Sequence, residues 1–486
     1  MGEWKERDYG EWATHFAAEL AVHFEHGRDY PRAIQYHEHA AQNAIQLHAC
    51  QEAIAHLTKA LALLKTLPDT PERAQRELRL QFNLRVQLGK LKGEGARELE
   101  PIVTRIRELS QQVEPTPQVF WALAGVFLFF LARDDFKTAR DLAEQHLHLA
   151  QHFSEASFAM AAHTELGITF FFLGEFSLAR THLEQAVALY DSQSLSPVSL
   201  DWEHGPPCLC YTAFVLWHLG CPEQALQKSY AALQRAQQLR LPYMHAFALN
   251  CAARLHQLCG DTEGVRKHAT AALQIATTQG FASMREMGRV YLGWVLVQEG
   301  KGEEGIAQIH QGMTAYRATG GEAFRTYYLA LLAEAYGSIG QHEAGLHTIT
   351  EALTMVRRAG GRYYEAELYR LKGELTLQKF SVASSQLLVP NPKSFIPNTQ
   401  HLTPGTRAEA EECFRHAIAI ARRQRAKSLE LRATMSLSRL WQQQGKKRQA
   451  YQMLAKIYGW FTESFETADL QAARALLEAL AREVKR

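Results

Sequence analysis

Apolar residues recur at three- and four-residue spacing along almost the whole chain, which is the spacing of one face of an α-helix, and no segment alternates with period two. The pattern predicts a protein built only of helices. Its clearest unit runs Leu166-Gly167, Phe170, Gly174-Glu175-Phe176, Ala179, Leu183, Ala186. A small residue stands where two helices would cross, an aromatic follows one turn on, a glycine makes the turn, and small and apolar residues resume. A Gly or Ala at the crossing lets the second helix approach the first closely, while the large side chains fill the space to the next helix pair.

The same pattern slides along the chain. Its post-turn small position falls at Ala139, Ala179, Ala225, Val265, Gly305, Gly345, Ala410 and Ala450, at intervals of 40, 46, 40, 40, 40, 65 and 40 residues. Such self-similarity marks a tetratricopeptide-like (TPR-like) array, with a unit longer than the usual repeat of about 34 residues. The expected fold is therefore an all-α, right-handed superhelical solenoid of helical hairpins. Visible insertions account for the two long intervals: the polar, Pro-containing Asp191–Pro207, and Phe380–Gly405, whose Pro390, Pro392, Pro397 and Pro404 exclude helix interior. A shorter signature at Leu20-Ala21, Phe24, Asp29-Tyr30, Ala33, His37 and Ala40 recurs at Ala53, Leu57 and Ala60, so one helix is expected to serve two hairpins. The organisation read from these patterns is N-terminal hairpins at 1–66, a repeat-poor helical joint at 67–115, a main array at 116–379, a flexible insertion at 380–405 and basic C-terminal hairpins at 406–486.

Several stretches, among them AAELAVHFEHGRDYPRAIQYHEHAAQNAI, LTKALALLKTLPDTPERAQREL, LGEFSLARTHLEQAVALYD, EAELYRLKGELTLQ and AKSLELRATMSLSRLWQQQGK, span Ala17 to about Leu477. On these the chain resembles the C-terminal TPR region of bacterial multidomain signalling ATPases, including those that carry a class III adenylyl or guanylyl cyclase domain. In that family a nucleotide-binding module and a helical adaptor precede the array, which is thought to sense or to scaffold. Here sixteen residues stand before Ala17. The resemblance thus implies the adaptor end of such a protein without its chemistry, in a bacterial cytoplasm.

Composition narrows the picture. Apolar residues are 47% and charged ones 21% of 486, the balance of a folding chain, and the formal charge of +2 argues against a dedicated nucleic-acid face. From Thr406 to Arg486, however, sixteen Lys and Arg stand against nine Asp and Glu. That local excess keeps open a second reading, a transcriptional regulator associated with nucleic acid through its basic C-terminal repeats. Seven scattered cysteines fit a reducing compartment, and Cys208, Cys210 and Cys221 lack paired metal-ligand spacing. The most apolar run, Val119–Ala132, is too short for a bilayer of about 30 Å, so no membrane partner is expected.

Chemistry finds little support. No G-x-x-x-x-G-K-[ST] loop occurs, and the G-x-G-x-x-G of Gly300, Gly302 and Gly305 follows a helix, where a dinucleotide loop follows a strand. Among 22 histidines no H-E-x-x-H appears, and His148 and His152 share a face without a third ligand. Neither cofactor, metal nor catalytic residue is expected.

In a solenoid of hairpins the first helices line the concave face, and residues a turn from the crossing position point into it. This register picks out Phe171, Phe214, Trp217, Asn250, Arg254, Gln257, Trp294, Tyr327, Glu334, Arg370 and Arg439. Aromatics beside Asn, Gln and Arg suit an extended peptide, supplying flat anchors and donors, with Asn250 and Arg254 between Trp217 and Trp294 as the sharpest grouping for an acidic or C-terminal peptide. The expected partner is a protein or peptide, with the nucleotide-binding or cyclase domains of a parent protein as further partners. Gly167→Leu is expected to splay its hairpin, read as a loss of helical circular dichroism and a lower Tm. An unchanged melt would remove the crossing-residue argument.

Overall fold

The computed structural model describes residues 2–191, 204–385, 404–463 and 466–484, and within them the chain forms α-helices and two short 3-10 turns, with no strand. Four helices, α1 (Gly2–Tyr9), α2 (Ala17–His26), α3 (Tyr30–Gln46) and α4 (Cys50–Leu64), open the chain, and α3 packs on both α2 and α4. The long α5 (Pro71–Lys92) and α6 (Glu100–Ser110) follow. Then come the hairpins α7 (Pro117–Ala132) with α8 (Phe136–Ala150), α9 (Ala156–Leu173) with α10 (Phe176–Asp191), and α11 (Gly205–His218) with α12 (Pro222–Leu239). They continue as α13 (Pro242–Leu258) with α14 (Thr262–Gln279), α15 (Ala282–Gln298) with α16 (Gly302–Ala318), and α17 (Arg325–Ser338) with α18 (His342–Ala359). The last are α19 (Glu365–Ser385) with α20 (Pro404–Gln424), α21 (Lys427–Gln443) with α22 (Lys447–Tyr458), and a closing α23 (Ala468–Val484).

Local sequence sets the starts and stops. Asp29, Thr70, Thr116, Asp135 and Asp261 each accept the backbone N–H three residues on, satisfying a donor that the helix leaves free. Left-handed turns at Gly220, Gly260, Gly300 and Gly340, with φ of 88°, 75°, 83° and 81°, join the helices of successive hairpins at forty-residue spacing. The crossing positions are sealed: Ala139, Ala179, Ala225, Val265, Ala410 and Ala450 are all 0% exposed. A Cβ on Gly167 would lie 2.5 Å from Leu183 Cγ, which no packed carbon tolerates.

Three details refine the reading of the sequence. Helix α10 runs to Asp191, and Pro206 and Pro207 occupy the first turn of α11, so the connector there is shorter than Asp191–Pro207; residues 192–203 lie outside the described residues. Helix α19 continues through Ser385 and α20 begins at Pro404, so of the segment read as a flexible insertion, residues 386–403 lie outside the described residues. Unlike the shorter run ending at Ala132, α9 is long and apolar enough to cross a membrane; here it is enclosed between its neighbours, with 13 of its 18 residues buried.

The array does not stay open. Five hairpins after α7 the chain returns to it: Glu322 N–H and Ala323 N–H both donate to Ala132 O, at 2.8 and 3.2 Å. One repeat on, Arg362 N–H and Tyr363 N–H donate to Phe172 O, at the same 2.8 and 3.2 Å. Both joints span the same sequence distance, since 322 − 132 and 362 − 172 each equal 190. Ser428 Oγ then donates to Trp217 O at 2.5 Å and Arg432 to Leu258 O at 2.7 Å, continuing the seam along the C-terminal ends of α11 and α13. Each carbonyl belongs to the last turn of a first helix, where no intrahelical donor remains.

At the head of the seam Gly95 meets Gly320 so closely that a Cβ on Gly95 would lie 2.2 Å from Gly320 O, and Arg133 donates to Gly95 O at 3.0 Å. Gly95→Ala is expected to open this joint, speeding amide exchange at Glu322 and Ala323 and lowering stability by about 1–3 kcal/mol. Gly300→Ala, in a turn with nothing within 4 Å, should leave exchange at those two amides unchanged. Equal seam protection in both variants would show that the joint does not form in solution.

Candidate functional site

Closing the coil after five hairpins brings the inner faces of early and late first helices together. Around Arg254 of α13 stand five rings: Phe214 and Tyr327 with centroids 4.6 Å from its Cζ, Phe324 at 5.1 Å, Tyr363 at 5.2 Å and Phe171 at 5.4 Å. The arginine is 1% exposed, and none of its three guanidinium nitrogens has a hydrogen-bond partner. The negative faces of the rings are what hold the cation there, at up to about 2 kcal/mol per contact when water is excluded.

The residues around it are occupied in the same way. Tyr327 donates to Gln257 Oε1 at 2.6 Å across two hairpins. Asn250 spends its amide N–H groups on Ala246 O at 3.1 Å and Met284 O at 3.0 Å. Trp217 is buried under Arg432, whose Cζ lies 5.0 Å above its ring. Of the eleven residues that the register selects, Phe171, Phe214, Trp217, Asn250, Arg254, Gln257 and Tyr327 are therefore all buried in the interior, each against the protein's own groups. Trp294 is buried at its edge. The peptide clamp expected of Asn250 and Arg254 between two tryptophans is thus filled by the protein's own side chains.

Beyond Trp294 the inner face opens to water, where the structure places Glu334, Arg370 and Arg439. Arg370 grips Glu367 with two bonds of 3.0 and 2.8 Å and lies 3.7 Å from Glu374. Arg432 bridges Asp469 at 2.7 Å and Glu367 at 3.5 Å. Ser436 donates to Glu374 at 2.6 Å. Burial works to raise the Glu367 pKa, but Arg370 and then Arg432 outweigh it and hold the carboxyl below its ordinary value. Glu334 and Arg439 are exposed, yet the groups packed around them shift both: burial raises Glu334 against the pull of Arg370, and burial lowers Arg439. Arg439 has no hydrogen bond or ion pair among the described residues.

The sequence register passed over Glu374, Glu367 and Arg432, and the signal was there. Stepping Arg254, Trp294, Glu334 onward by 40 gives Glu374, and by 65 more gives Arg439; stepping Tyr327 by 40 gives Glu367, and by 65 more gives Arg432. Phe324 and Tyr363 had no such signal, because they act across the seam. Of the other chemistry considered, no group of three His, Cys, Asp or Glu side chains could hold a metal among the described residues. His146 pairs with Glu165 at 2.5 Å inside the array, and none of the seven cysteines forms a disulfide.

Hairpin pairs of this form, stacked along one coil, define a TPR-like helical solenoid. No family model matches the chain. A protein of Rhizobium meliloti (strain 1021), "Uncharacterized protein R02095", is 24% identical over 280 residues, covering 56% of this chain and 26% of the relative. The chain thus spans about a quarter of the length of the curated relative it matches. Among solved structures it is similar to a Rap protein complexed with Competence and Sporulation Factor (14% identity, 71% of this chain, 99% of that one, TM-score 0.48). It is also similar to the apo form of the quorum sensor NprR from B. thuringiensis (12%, 79% and 100%, TM-score 0.42) and to yeast Tom70 (12%, 98% and 97%, TM-score 0.37).

Glu367→Ala removes the buried carboxylate that Arg370 and Arg432 share, leaving them only Glu374 and Asp469, and is expected to cost about 3–5 kcal/mol in urea unfolding near pH 7. A carboxyl held below its unfolded pKa stabilises above that unfolded value and loses the effect as pH falls through its folded pKa. The gap between wild type and variant should therefore narrow on acidification; a gap constant down to pH 2 would refute the ion-pair assignment.

Proposed function

We propose that this chain is a non-catalytic TPR-like scaffold or sensor that holds a segment of a partner protein on the open stretch of its inner face, between Trp294 and Arg439. The observation that carries this reading is Arg439, an exposed cation without an ion pair among the described residues, beside Arg370 and Arg432, which carboxylates neutralise. An acidic side chain or a C-terminal carboxylate would complete it with a two-pronged hydrogen bond, and the Trp294 edge offers a flat apolar neighbour. Within this reading the chain is the adaptor end of a larger signalling ATPase or nucleotide cyclase, whose own domains are further partners. The length of the curated relative, about four times the stretch it shares, is compatible with that placement.

The nucleic-acid reading is the weaker one. Besides Arg432, six of the sixteen Lys and Arg after Thr406 are held in ion pairs: Arg415 and Lys446 by Glu411, Arg422 and Lys427 by Glu430, Lys447 by Glu483, and Arg474 by Glu478. A phosphate backbone would have to compete with these carboxylates, and the formal charge of the whole chain is only +2.

A random peptide library selected on the full chain should yield acidic or carboxylate-terminated binders. Arg439→Ala is expected to weaken them by about 1–3 kcal/mol without changing helicity. Selection of binders indifferent to both Arg439→Ala and Trp294→Ala would move the partner surface elsewhere.

A further inference from the structure

Directly beneath the seam lies a cavity of about 110 Å³. Its walls come from both sides of the joint: Gly95 and Ala132 from the early part of the array, Thr319 and Ala323 from the part that returns to it. Most of the remaining lining is carbon, led by Leu128, Ile168, Phe247 and Met287, with Glu94, Ser283 and three tyrosines among it. A void of this kind, lined by aliphatic and aromatic carbon, holds water poorly and accepts small apolar molecules.

The lining has one unsatisfied polar feature. Ser283 is 6% exposed, and its hydroxyl has no hydrogen-bond partner. It stands in the first turn of α15, where the N–H groups of Ser283 and Met284 have no carbonyl four residues behind them within the helix, and both residues line the cavity. A helix start with free N–H groups and a free hydroxyl attracts an anionic oxygen. The acid in the lining, Glu94, does not oppose this strongly, since Arg85 pairs with it and Tyr243 donates to it at 3.3 Å. Behind the Phe324 wall lies the Arg254 guanidinium, 5.1 Å from that ring and without a hydrogen-bond partner.

We propose that this cavity binds a small branched apolar monocarboxylate, with its hydrocarbon body among Leu128, Phe247 and Met287 and its carboxylate at the first turn of α15 against the Ser283 hydroxyl. The volume suits a body of about four or five carbons. Because the walls belong to both sides of the joint, the bound molecule fastens the closed coil, and its affinity is linked to closure. The site is separate from the open stretch of the inner face and does not depend on the peptide-binding reading.

Isovalerate titrated into the full chain by calorimetry should bind with a dissociation constant in roughly the high-micromolar to low-millimolar range, as its few heavy atoms allow, and should raise Tm. The neutral 3-methylbutan-1-ol, of the same shape, should bind about tenfold more weakly, and Ser283→Ala should weaken isovalerate by about tenfold. Met287→Trp fills the void and should abolish binding. If that variant loses helicity, Leu128→Phe narrows the cavity from another helix and serves in its place. Absence of isovalerate binding, equal affinity for the alcohol, or wild-type affinity in a well-folded filled variant overturns the proposal.

Discussion

Two backbone carbonyls, Ala132 O and Phe172 O, each take a pair of N–H groups from a chain segment five hairpins away, and the molecule's interior depends on that joint. A stack of hairpins alone buries the sides that face its neighbours and leaves its concave face wet. The joint changes this by bringing the start of α17 against α7 and the start of α19 against α9. What would be a groove lined by aromatic rings becomes a core.

The cost of closure appears in the charges. Along one register position the inner face reads Phe214, Arg254, Trp294, Glu334, Glu374, Arg439. Where the coil is closed, the cation at this position is held by ring faces alone. Where it opens, cations and carboxylates neutralise one another through Arg370, Glu367, Arg432 and Asp469. A buried guanidinium without any acceptor is costly, so the cage is the least relaxed part of the core. An anion that could reach it would gain accordingly.

Much of the architecture is legible in the chain, because a helix and its crossing residues are local. The forty-residue spacing of Val265, Gly305 and Gly345 carries the hairpins, and the turn glycines mark their joints. The burial of Phe171, Phe214 and Arg254 is not legible. It follows from how many hairpins complete a turn, a quantity set by small rotations accumulated over each repeat, to which no residue pattern corresponds. Glu367 and Arg432 lay between these cases, within reach of the register once Tyr327 was chosen.

The equal 190-residue span of the two backbone joints bears on how the protein folds and how it can change. An open solenoid behaves as a line, in which each repeat senses its immediate neighbours and repeats can be added or lost singly. Here the line is wound into a ring with contacts of very high sequence separation, which slows the final docking step and makes the turns melt together. Losing one hairpin between α8 and α17 would shift every joint out of step, so length can vary without penalty only outside the wound turn or in connectors that leave the hairpin count intact.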